Sequence, residues 1–423
     1  MADPSVSLLR ALWEAALAAA DPAEVLPAAL PSPPRGRTVV LAVGKAATRM
    51  AEVAVAAWPG PLEGLVVVPP GLERPVGGLE LRVAGHPLPD AGSVSAAQAA
   101  LALAGRLGPD DLLLCLLSGG GSALLAAPAP GLTLADKQAV TRALLASGAA
   151  IDEINCVRRH LSAIKGGRLA QAAWPARVVT LAVSDVVGDS PEVIASGPTV
   201  ADGSTLAEAR AVLARYGIDA PPAVAARLRD PAAETPKPGD QGFQHSDYQV
   251  VTSPRQVLAS VAVAARGLGL EVVDLGVDWT GEAREVAHTM AAQALEARVE
   301  VRASGRARVL LSGGELTVTQ ATAGGRGGPN AEFVLALGLA LADTPGVCAL
   351  AADTDGIDGS GPPAGAFWTP ELPARARALG LDLGAALAAH DSHGAFLTLG
   401  AALVTGRTGT NVNDLRAVLL LPA

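Results

Sequence analysis

Short apolar runs that end abruptly at glycine, serine or aspartate recur along this chain. Three of them, residues 38–43, 112–117 and 309–311, are each followed directly by a glycine-containing turn. About six apolar residues bounded by turn formers are typical of a buried strand, and a renewed apolar pattern after the turn indicates a helix. The pattern therefore predicts an α/β protein whose ligands gather at the carboxyl ends of its strands.

Further apolar segments lie on both sides of a polar stretch. Apolar residues at helical spacing predict helices over 6–20, 254–267 and 331–342, and apolar runs predict strands over 64–69, 177–183 and 347–352. The stretch 231–247 is rich in proline, glycine and aspartate and marks the clearest boundary. Because 423 residues exceed one typical core, we predict domains at 1–235 and 248–423, with packing of the tail after about residue 400 on the first domain left open.

The turn after the 112–117 run is the most informative one. Three successive glycines let the backbone approach a ligand closely, and free N–H groups near a helix start favour anions. A tight strand–helix turn without a ligand is the alternative. Repetition of nearly the same residues after 309–311 favours the ligand. The two predicted phosphate-binding turns are Ser118-Gly119-Gly120-Gly121-Ser122 and Ser312-Gly313-Gly314-Glu315.

Lysine is rare in this chain: only 4 of its 32 basic residues are lysines, so 32 − 4 = 28 are arginines. Lys45 follows the 38–43 run and Gly44, where its ammonium would hold a phosphate or carboxylate; a solvated surface lysine is the alternative. Lys165, with Arg159 nearby, precedes a Gly-Gly pair. This second group predicts either an anion-binding loop or one solvated helical face.

Acidic residues also follow predicted strands. Asp185 and Asp189 come after the 177–183 run, and Asp355 after the 347–352 run, where carboxylates commonly hold Mg²⁺; caps of the next turn are the alternative. Arg326 lies in the glycine-rich segment 324–329, just before Asn330. We expect this segment to be a mobile clamp whose guanidinium forks onto oxyanions, the alternative being a surface loop without function.

Composition excludes several classes of protein. A net charge of −9 argues against general nucleic-acid binding, and no apolar run reaches the roughly 18 residues of a membrane span. The start lacks a basic region, so a signal peptide is not expected. Three dispersed cysteines fit a reduced, cytoplasmic protein. Neither GxxxxGK[ST] nor GxGxxG after a strand is present, which disfavours a P-loop NTPase and an ordinary dinucleotide enzyme.

Taken in order, these motifs resemble the class II glycerate kinases over almost the whole chain. The amino-terminal matches are Gly44-Lys45-Ala46-Ala47, residues 85–90 (GHPLPD), the glycines of 118–122, residues 159–168 (RHLSAIKGGR), residues 184–189 (SDVVGD) and residues 195–199 (ASGPT). Residues 312–315, Gly325-Arg326, Asn330, Glu332, residues 354–359 (TDGIDG) and residues 408–412 (TGTNV) resemble the carboxyl-terminal, MOFRL-type domain of that family.

The resemblance implies ATP- and Mg²⁺-dependent phosphorylation of D-glycerate, usually at the 2-hydroxyl, on two Rossmann-like three-layer α/β/α domains with an active-site cleft between them. It places Lys45 and Arg326 on opposite lips of the cleft. Asp189 is the favoured Mg²⁺ ligand or base, with Asp185 and Asp355 as further metal ligands. A membrane partner is not expected, and a homodimer is left open.

Three departures from the family pattern bear on the metal shell. Ala401 or Ala402 stands where an acidic residue is usual, an aspartate is missing near Pro362, and an extra Gly-Gly-Pro separates Arg326 from Asn330. Two rival functions remain. One is a hydroxypyruvate reductase, which would need a nicotinamide site. The other is a phosphosugar sensor without catalysis, since a Ser-Gly-Gly-Gly-Ser turn also suits phosphosugar-binding modules.

Overall fold

The computed structural model describes residues 3–319, 325–342 and 344–422. The chain divides into two compact units, Pro22–Val251 and the combination of Met1–Asp21 with Thr252–Ala423. We call the first the central unit and the second the terminal unit. No helix in the described parts of the chain is both long and apolar enough to cross a membrane.

This division differs from the expected one at the amino end. Helix α1 (Pro4–Ala20) belongs to the terminal unit, where the Thr410 hydroxyl donates to the Ala20 carbonyl at 2.8 Å. Its apolar stripe, which includes Leu9, Leu12 and Trp13, is fully buried there. An apolar stripe requires a partner surface but does not specify which one.

The stretch 231–247, where we expected the boundary, lies in the central unit, which extends to Val251. Glu234 bonds the His160 Nε2 at 2.8 Å, and the Lys237 ammonium donates to the Thr235 hydroxyl at 2.8 Å. Thr235 is buried. Part of the polar stretch therefore forms internal hydrogen bonds, whereas residues 238–241 are exposed.

The central unit contains the predicted buried strands. Its strands are β1 (Thr38–Val43), β2 (Glu63–Val68), β3 (Glu80–Val83), β4 (Leu112–Leu117), β5 (Arg177–Val183) and β6 (Ser246–Thr252). They form a sheet in the order β3-β2-β1-β4-β5-β6, with β1 to β5 paired in parallel. Every residue of β1 and β4 is buried, as expected for parallel strands covered on both faces.

Helices connect these strands and complete the central unit. They are α2 (Pro22–Ala29), α3 (Ala47–Ala57), α4 (Ala91–Ala104), α5 (Gly121–Leu124), α6 (Leu134–Ala146), α7 (Ile151–His160), α8 (Arg168–Ala173), α9 (Leu206–Arg215) and α10 (Pro222–Arg229). Since β1, β4 and β5 are parallel neighbours, their carboxyl ends meet at one edge of the sheet. The turns that carry Lys45, residues 118–122 and residues 184–189 all begin at that edge.

The terminal unit is built on a mixed sheet. Its strands are β7 (Glu271–Asp274), β8 (Thr280–Glu282), β9 (Arg308–Ser312), β10 (Glu315–Thr317), β11 (Val347–Asp353), β12 (Gly365–Trp368), β13 (Ala402–Leu403) and β14 (Asp414–Leu420). The sheet order is β13-β12-β11-β14-β9-β7, and β8 pairs separately with β10. Strand β14 runs antiparallel to both β9 and β11, so β9 and β11 end at the same edge where β14 begins.

The helices of the terminal unit pack on this sheet. Besides α1 they are α11 (Pro254–Gly267), α12 (Ala283–Ser304), α13 (Pro329–Ala340), α14 (Leu372–Ala378), α15 (Leu383–Ala388) and α16 (Ser392–Thr398). Helix α13 is buried on nearly every side, and its Phe333 lies in one core with Trp368 and Phe396. The predicted α/β class is thus observed in both units.

Candidate active site

In the central unit, the turns at Gly44 and Ser118 contact each other at the carboxyl ends of the neighbouring strands β1 and β4. The Ser118 hydroxyl accepts from the Ala46 N–H at 3.0 Å, and the Lys45 N–H donates to the Gly119 carbonyl at 2.9 Å. Gly44 has φ +126°, and a Cβ there would lie 2.2 Å from the Ser118 Oγ. Only glycine fits this position, so the two predicted turns form one hydrogen-bonded junction.

Lys45 lies at this junction, two residues before α3 begins at Ala47. Its side chain is half-buried, at the carboxyl edge where the sequence predicted a ligand-facing cation. The backbone that carries it is held by the Gly119 carbonyl and by the turn at Gly44. The structure therefore presents Lys45 from a rigid support.

The glycine loop, residues 118–122, is shaped in large part by the protein itself. Gly120 has φ +85°, and a Cβ there would lie 2.9 Å from the His86 Cδ2. A Cβ on Gly121 would lie 2.8 Å from the Cβ of Ala195. At these two positions, packing against side chains of the same unit accounts for the absence of a side chain.

Lys165 supports the glycine loop from behind. Its ammonium donates to the Ser122 carbonyl at 2.7 Å, and the side chain is only 2% exposed. The Ser122 hydroxyl in turn shares a hydrogen bond of 2.7 Å with the Ser196 hydroxyl. Burial lowers the pKa of Lys165 well below its usual range, and the positive charges of Arg158 and Lys137 lower it further.

Arg159, predicted to bind anions together with Lys165, is engaged elsewhere. Its guanidinium pairs with Asp202 at 3.0 Å and donates to the Ser204 hydroxyl at 3.2 Å. Both members of the ion pair are buried. Arg159 therefore neutralises an internal carboxylate that is distant in the chain.

Asp189 is an acidic group with unused bonding capacity, as is Asp202, whose Oδ2 is buried without a hydrogen-bond partner among the described residues. The Asp189 Oδ1 is buried and has no hydrogen-bond partner in the described part of the chain. The backbone there is left-handed, with φ 54°, and Ala195 and Ser196 in the following turn have φ 52° and 60°. Such strained conformations concentrate at functional sites. Asp185, half-buried, lies four residues before it at the end of β5.

These carboxylates permit Mg²⁺ binding only together with other ligands. Within the described residues, no group of three or more His, Cys, Asp or Glu side chains is placed to hold a metal ion. Mg²⁺ usually keeps several waters and takes one or two carboxylates plus substrate phosphates. The unpartnered Oδ1 of Asp189 fits an ion that enters with a nucleotide.

In the terminal unit, the predicted Ser312-Gly313-Gly314 turn is fastened by an arginine that sequence reasoning missed. Arg416, fully buried in β14, donates to the Gly313 carbonyl at 2.7 Å and to the Gly314 carbonyl at 2.9 Å. It also pairs with Asp414 at 3.1 Å. Burial raises the pKa of Asp414 to about 6, although Arg416 opposes this. Glu315 lies just beyond the turn and is exposed.

Asn330 joins this arrangement at the start of α13. Its amide donates to the Asp414 carboxylate at 2.7 Å, while its N–H donates to Asp358 at 3.0 Å. His393 Nε2 lies 3.3 Å from the Asp358 carboxylate. The Asn330 Oδ1, His393 Nδ1 and Ser312 Oγ are buried and lack a hydrogen-bond partner among the described residues, so this cluster retains capacity for a polar ligand or water.

Asp355, predicted as a metal ligand, caps a turn. Its carboxylate accepts from the Ile357 N–H at 2.9 Å, and its own N–H donates to Asp353 at 2.8 Å. The side chain is buried. This geometry matches the turn-cap alternative and leaves metal binding by Asp355 a prediction.

The described part of the predicted clamp is closely packed. The Arg326 N–H donates to Asp391 at 3.2 Å, and its carbonyl accepts from the His393 N–H at 3.0 Å. A Cβ on Gly325 would lie 2.1 Å from the Ala389 carbonyl oxygen. These glycines permit close packing of the backbone, and the Arg326 side chain is exposed. The mobility of the clamp stays a prediction. Gly324, the first residue of the clamp, lies outside the described residues.

Comparison with known proteins covers the whole chain. Residues 8–229 match a domain of unknown function, DUF4147, and residues 308–414 match the MOFRL family. A relative from Agrobacterium vitis, provisionally named a hydroxypyruvate reductase, is 50% identical over 98% of this chain and 94% of its own length. The D-glycerate 2-kinase of Thermotoga maritima is 38% identical over 90% of this chain and 89% of its own length.

A solved structure agrees with these sequence matches. The crystal structure of glycerate kinase from Thermotoga maritima has a TM-score of 0.88 and 36% identity to this chain. It covers 99% of this chain and 100% of its own. The α/β architecture is therefore common to both proteins over their full length.

Proposed function

The chain belongs to the glycerate kinase family defined by the DUF4147 and MOFRL segments, as its motifs predicted, and from this premise we propose that it phosphorylates D-glycerate with ATP. The observation that carries the proposal is the convergence of three turns at one edge of the central sheet. A basic turn with Lys45, the glycine loop and an acidic turn with Asp189 follow the adjacent parallel strands β1, β4 and β5. This edge is where α/β proteins bind their ligands.

The proposed reaction needs positioning and charge neutralisation more than covalent work by the protein. A glycerate hydroxyl oxygen forms a bond to the γ-phosphorus as the bond from that phosphorus to the β,γ-bridging oxygen breaks, and ADP leaves. The hydroxyl proton passes to a base. We further propose the 2-hydroxyl as the attacking group, in line with the name of the Thermotoga maritima relative.

Each site residue has a proposed role in this reaction. The Lys45 ammonium balances negative charge on the transferring phosphoryl group. Asp189 offers its unpartnered Oδ1 either to the hydroxyl proton or to the nucleotide's Mg²⁺, which would neutralise charge on the phosphate oxygens. Arg326 presents a planar fork suited to carboxylate or phosphate. Lys165 positions the glycine loop through the Ser122 carbonyl.

A second candidate function comes from the relatives' names. Two relatives from Agrobacterium vitis, 50% and 47% identical to this chain, are provisionally named hydroxypyruvate reductases. A reductase needs a nicotinamide site, and the turn after β1 reads Gly44-Lys45-Ala46-Ala47 instead of a dinucleotide fingerprint. We therefore rank the kinase first.

One assay separates these functions. The purified chain is mixed with ATP, Mg²⁺ and D-glycerate, and the product is identified by ³¹P and ¹H NMR, which also gives the phosphorylated position. We expect phosphoglycerate, and no NADH oxidation with hydroxypyruvate. Stoichiometric NADH loss without ATP would favour the reductase, whereas tight phosphosugar binding without any turnover would favour the sensor.

The setting of the enzyme is also a proposal. Cys115, Cys156 and Cys348 are free and buried, which supports a reducing compartment such as the cytoplasm. Measuring the thiol content of freshly purified chain under denaturing conditions would test this. A homodimer stays a prediction to be checked by light scattering.

A further inference from the structure

A second basic centre lies in the central unit behind the glycine loop. We call it the basic cavity. Half of its lining residues are apolar, and the polar half consists of Lys137, Arg142, Arg158 and Lys165 together with Ser122, Gln138 and Thr141. Lys137, Gln138 and Arg142 come from α6, Arg158 from α7, and Lys165 from the loop after α7. The residues that line the cavity include no aspartate and no glutamate.

The cations of the basic cavity lack opposite charges. Lys137 donates to the Leu161 carbonyl at 3.0 Å and Lys165 to the Ser122 carbonyl at 2.7 Å, so both lysines bond neutral groups. The half-buried Arg158 guanidinium has neither an ion pair nor a hydrogen bond within the described residues. Buried charges in proteins are normally paired.

The electrostatics of the two lysines reflect this imbalance. Burial, together with the charges of Arg158 and Arg168, lowers the pKa of Lys137 to about 7. Burial likewise lowers the pKa of Lys165, with Arg158 and Lys137 adding repulsion. Burial is also what lowers the pKa of Arg158. Each of these groups would be stabilised in its charged form by a negative ion.

The cavity has the size of a small ion. The cavity volume open to the centre of a water molecule is about 40 Å³. One water needs roughly 10–15 Å³ by this measure. The space therefore suits a group of a few heavy atoms and is too small for a nucleotide.

We infer that the basic cavity binds a small oxyanion of the size and charge of inorganic phosphate. Arg158 would donate its unused N–H groups to the ion, and the ammonium groups of Lys137 and Lys165 would lie beside it. This site is distinct from the proposed active site, and Lys45 is not among the residues that line it. Since Lys165 also holds the Ser122 carbonyl, the bound ion would stabilise the rear of the glycine loop.

Direct binding of inorganic phosphate tests the inference without reference to catalysis. Isothermal titration calorimetry is done on the full chain carrying Lys45→Met, at constant ionic strength in chloride, so that phosphate at Lys45 does not contribute. We expect one saturable site. Arg158→Gln in the same background should weaken binding roughly 10- to 100-fold, the usual effect of losing hydrogen bonds to a charged group.

Arg35→Gln is the matched control, because Arg35 is an exposed arginine of the same unit. It should leave the affinity unchanged. Circular dichroism checks that each variant is folded, and Arg142→Gln gives a second test at the rim should Arg158→Gln fail to fold. Absence of saturable binding, or equal affinity of the cavity variants and the parent, would overturn the inference.

Proton uptake supplies an independent readout. Calorimetric titrations at pH 7.5 in two buffers of different ionisation enthalpy should reveal proton uptake on binding. The bound anion stabilises the charged form of Lys137 and offsets the repulsion from Arg158, Lys165 and Arg168. Lys137→Met should lower that uptake, and the uptake that remains is assigned to Lys165, whose pKa is also lowered by burial. Binding without proton uptake, or the same uptake in Lys137→Met as in the parent, would contradict the assigned contacts.

Discussion

Lys137 offers the sharpest quantitative prediction, because its charge is buried opposite a carbonyl and among cations. Its ammonium donates to the Leu161 carbonyl, and burial lowers its pKa from 10.5 to about 7. Between these values the unfolded chain binds a proton that the folded protein releases. Stability should therefore rise as pH increases from about 7 to 10.5, and the full cost of the buried charge should be present below pH 7.

The magnitude follows from that difference in pKa. The gap is 10.5 − 7 = 3.5, and one unit corresponds to about 1.36 kcal/mol, so the cost of the charge below pH 7 is on the order of 5 kcal/mol. Lys137→Met removes this cost but also loses a hydrogen bond worth about 1 kcal/mol. The variant should thus be more stable than the wild type by several kcal/mol at pH 6.5, and the gain should vanish above pH 10.

The composition of the chain makes the pKa directly measurable. Only Lys45, Lys137, Lys165 and Lys237 are lysines, so ¹³Cε-labelled lysine gives four signals. Loss of one signal in Lys137→Met assigns it, and its shift is followed from pH 5.5 to 11 in phosphate-free buffer. Thermal melts of both proteins across the same range, with Arg35→Met as a surface control, give the stability difference.

Two results would refute this reasoning. One is a Lys137 signal that titrates near 10.5, because the amine would then be solvated or paired. The other is a stability difference between wild type and Lys137→Met that stays constant from pH 6.5 to 10. Adding phosphate provides a further check, since an ion in the basic cavity should move the titration of Lys137 to higher pH.

Three further predictions concern the proposed active site. Lys45→Ala should lower kcat roughly 10²–10³-fold, the usual loss for one preorganised contact, with the melting temperature unchanged. Retention of more than about a third of kcat/KM would show that Lys45 is a solvated surface lysine. Gly44→Ala should cost at least about 1–3 kcal/mol in urea unfolding, because its φ of +126° is strained for alanine and its Cβ would meet the Ser118 Oγ; a wild-type midpoint would contradict this. Arg326→Lys should keep the charge yet lose most of kcat, and near wild-type kinetics would show that the planar fork is not needed.

Much of the central sheet was predictable, because fully buried parallel strands leave a plain signal. The observed β1, β4 and β5 have the bounds predicted from the apolar runs at 38–43, 112–117 and 177–183. Each run is mostly apolar and ends at a turn former, a pattern that favours a buried strand over a helix or a solvent-facing strand. The unit that receives α1 was not predictable, since its partner surface comes from residues more than two hundred positions away.

Charged residues were harder to interpret than strands. Arg158, Arg159 and Lys165 form one basic cluster in the sequence, yet the three side chains are bonded differently in the fold. Arg159 finds Asp202, Lys165 finds a backbone carbonyl, and Arg158 has no partner within the described chain. Local sequence cannot distinguish these cases, because the counter-charge or its absence is decided by residues brought in from elsewhere. Arg416 illustrates the same limit. An arginine within an apolar strand predicts that it has a buried partner, but the sequence does not indicate which residue the partner is.

Glycine presents the corresponding limit for ligand sites. A glycine before a helix predicts that something approaches the backbone closely, but the approaching group can be a ligand or the protein. At Gly120 it is His86, at Gly121 it is Ala195, and at Gly325 it is the Ala389 carbonyl. Close packing within the protein therefore accounts for these three glycines, and their presence alone does not require a bound phosphate. Support for a ligand at the central edge then rests more on Lys45 than the glycine pattern suggested, and the Lys45→Ala measurement decides between a catalytic edge and a merely well-packed one.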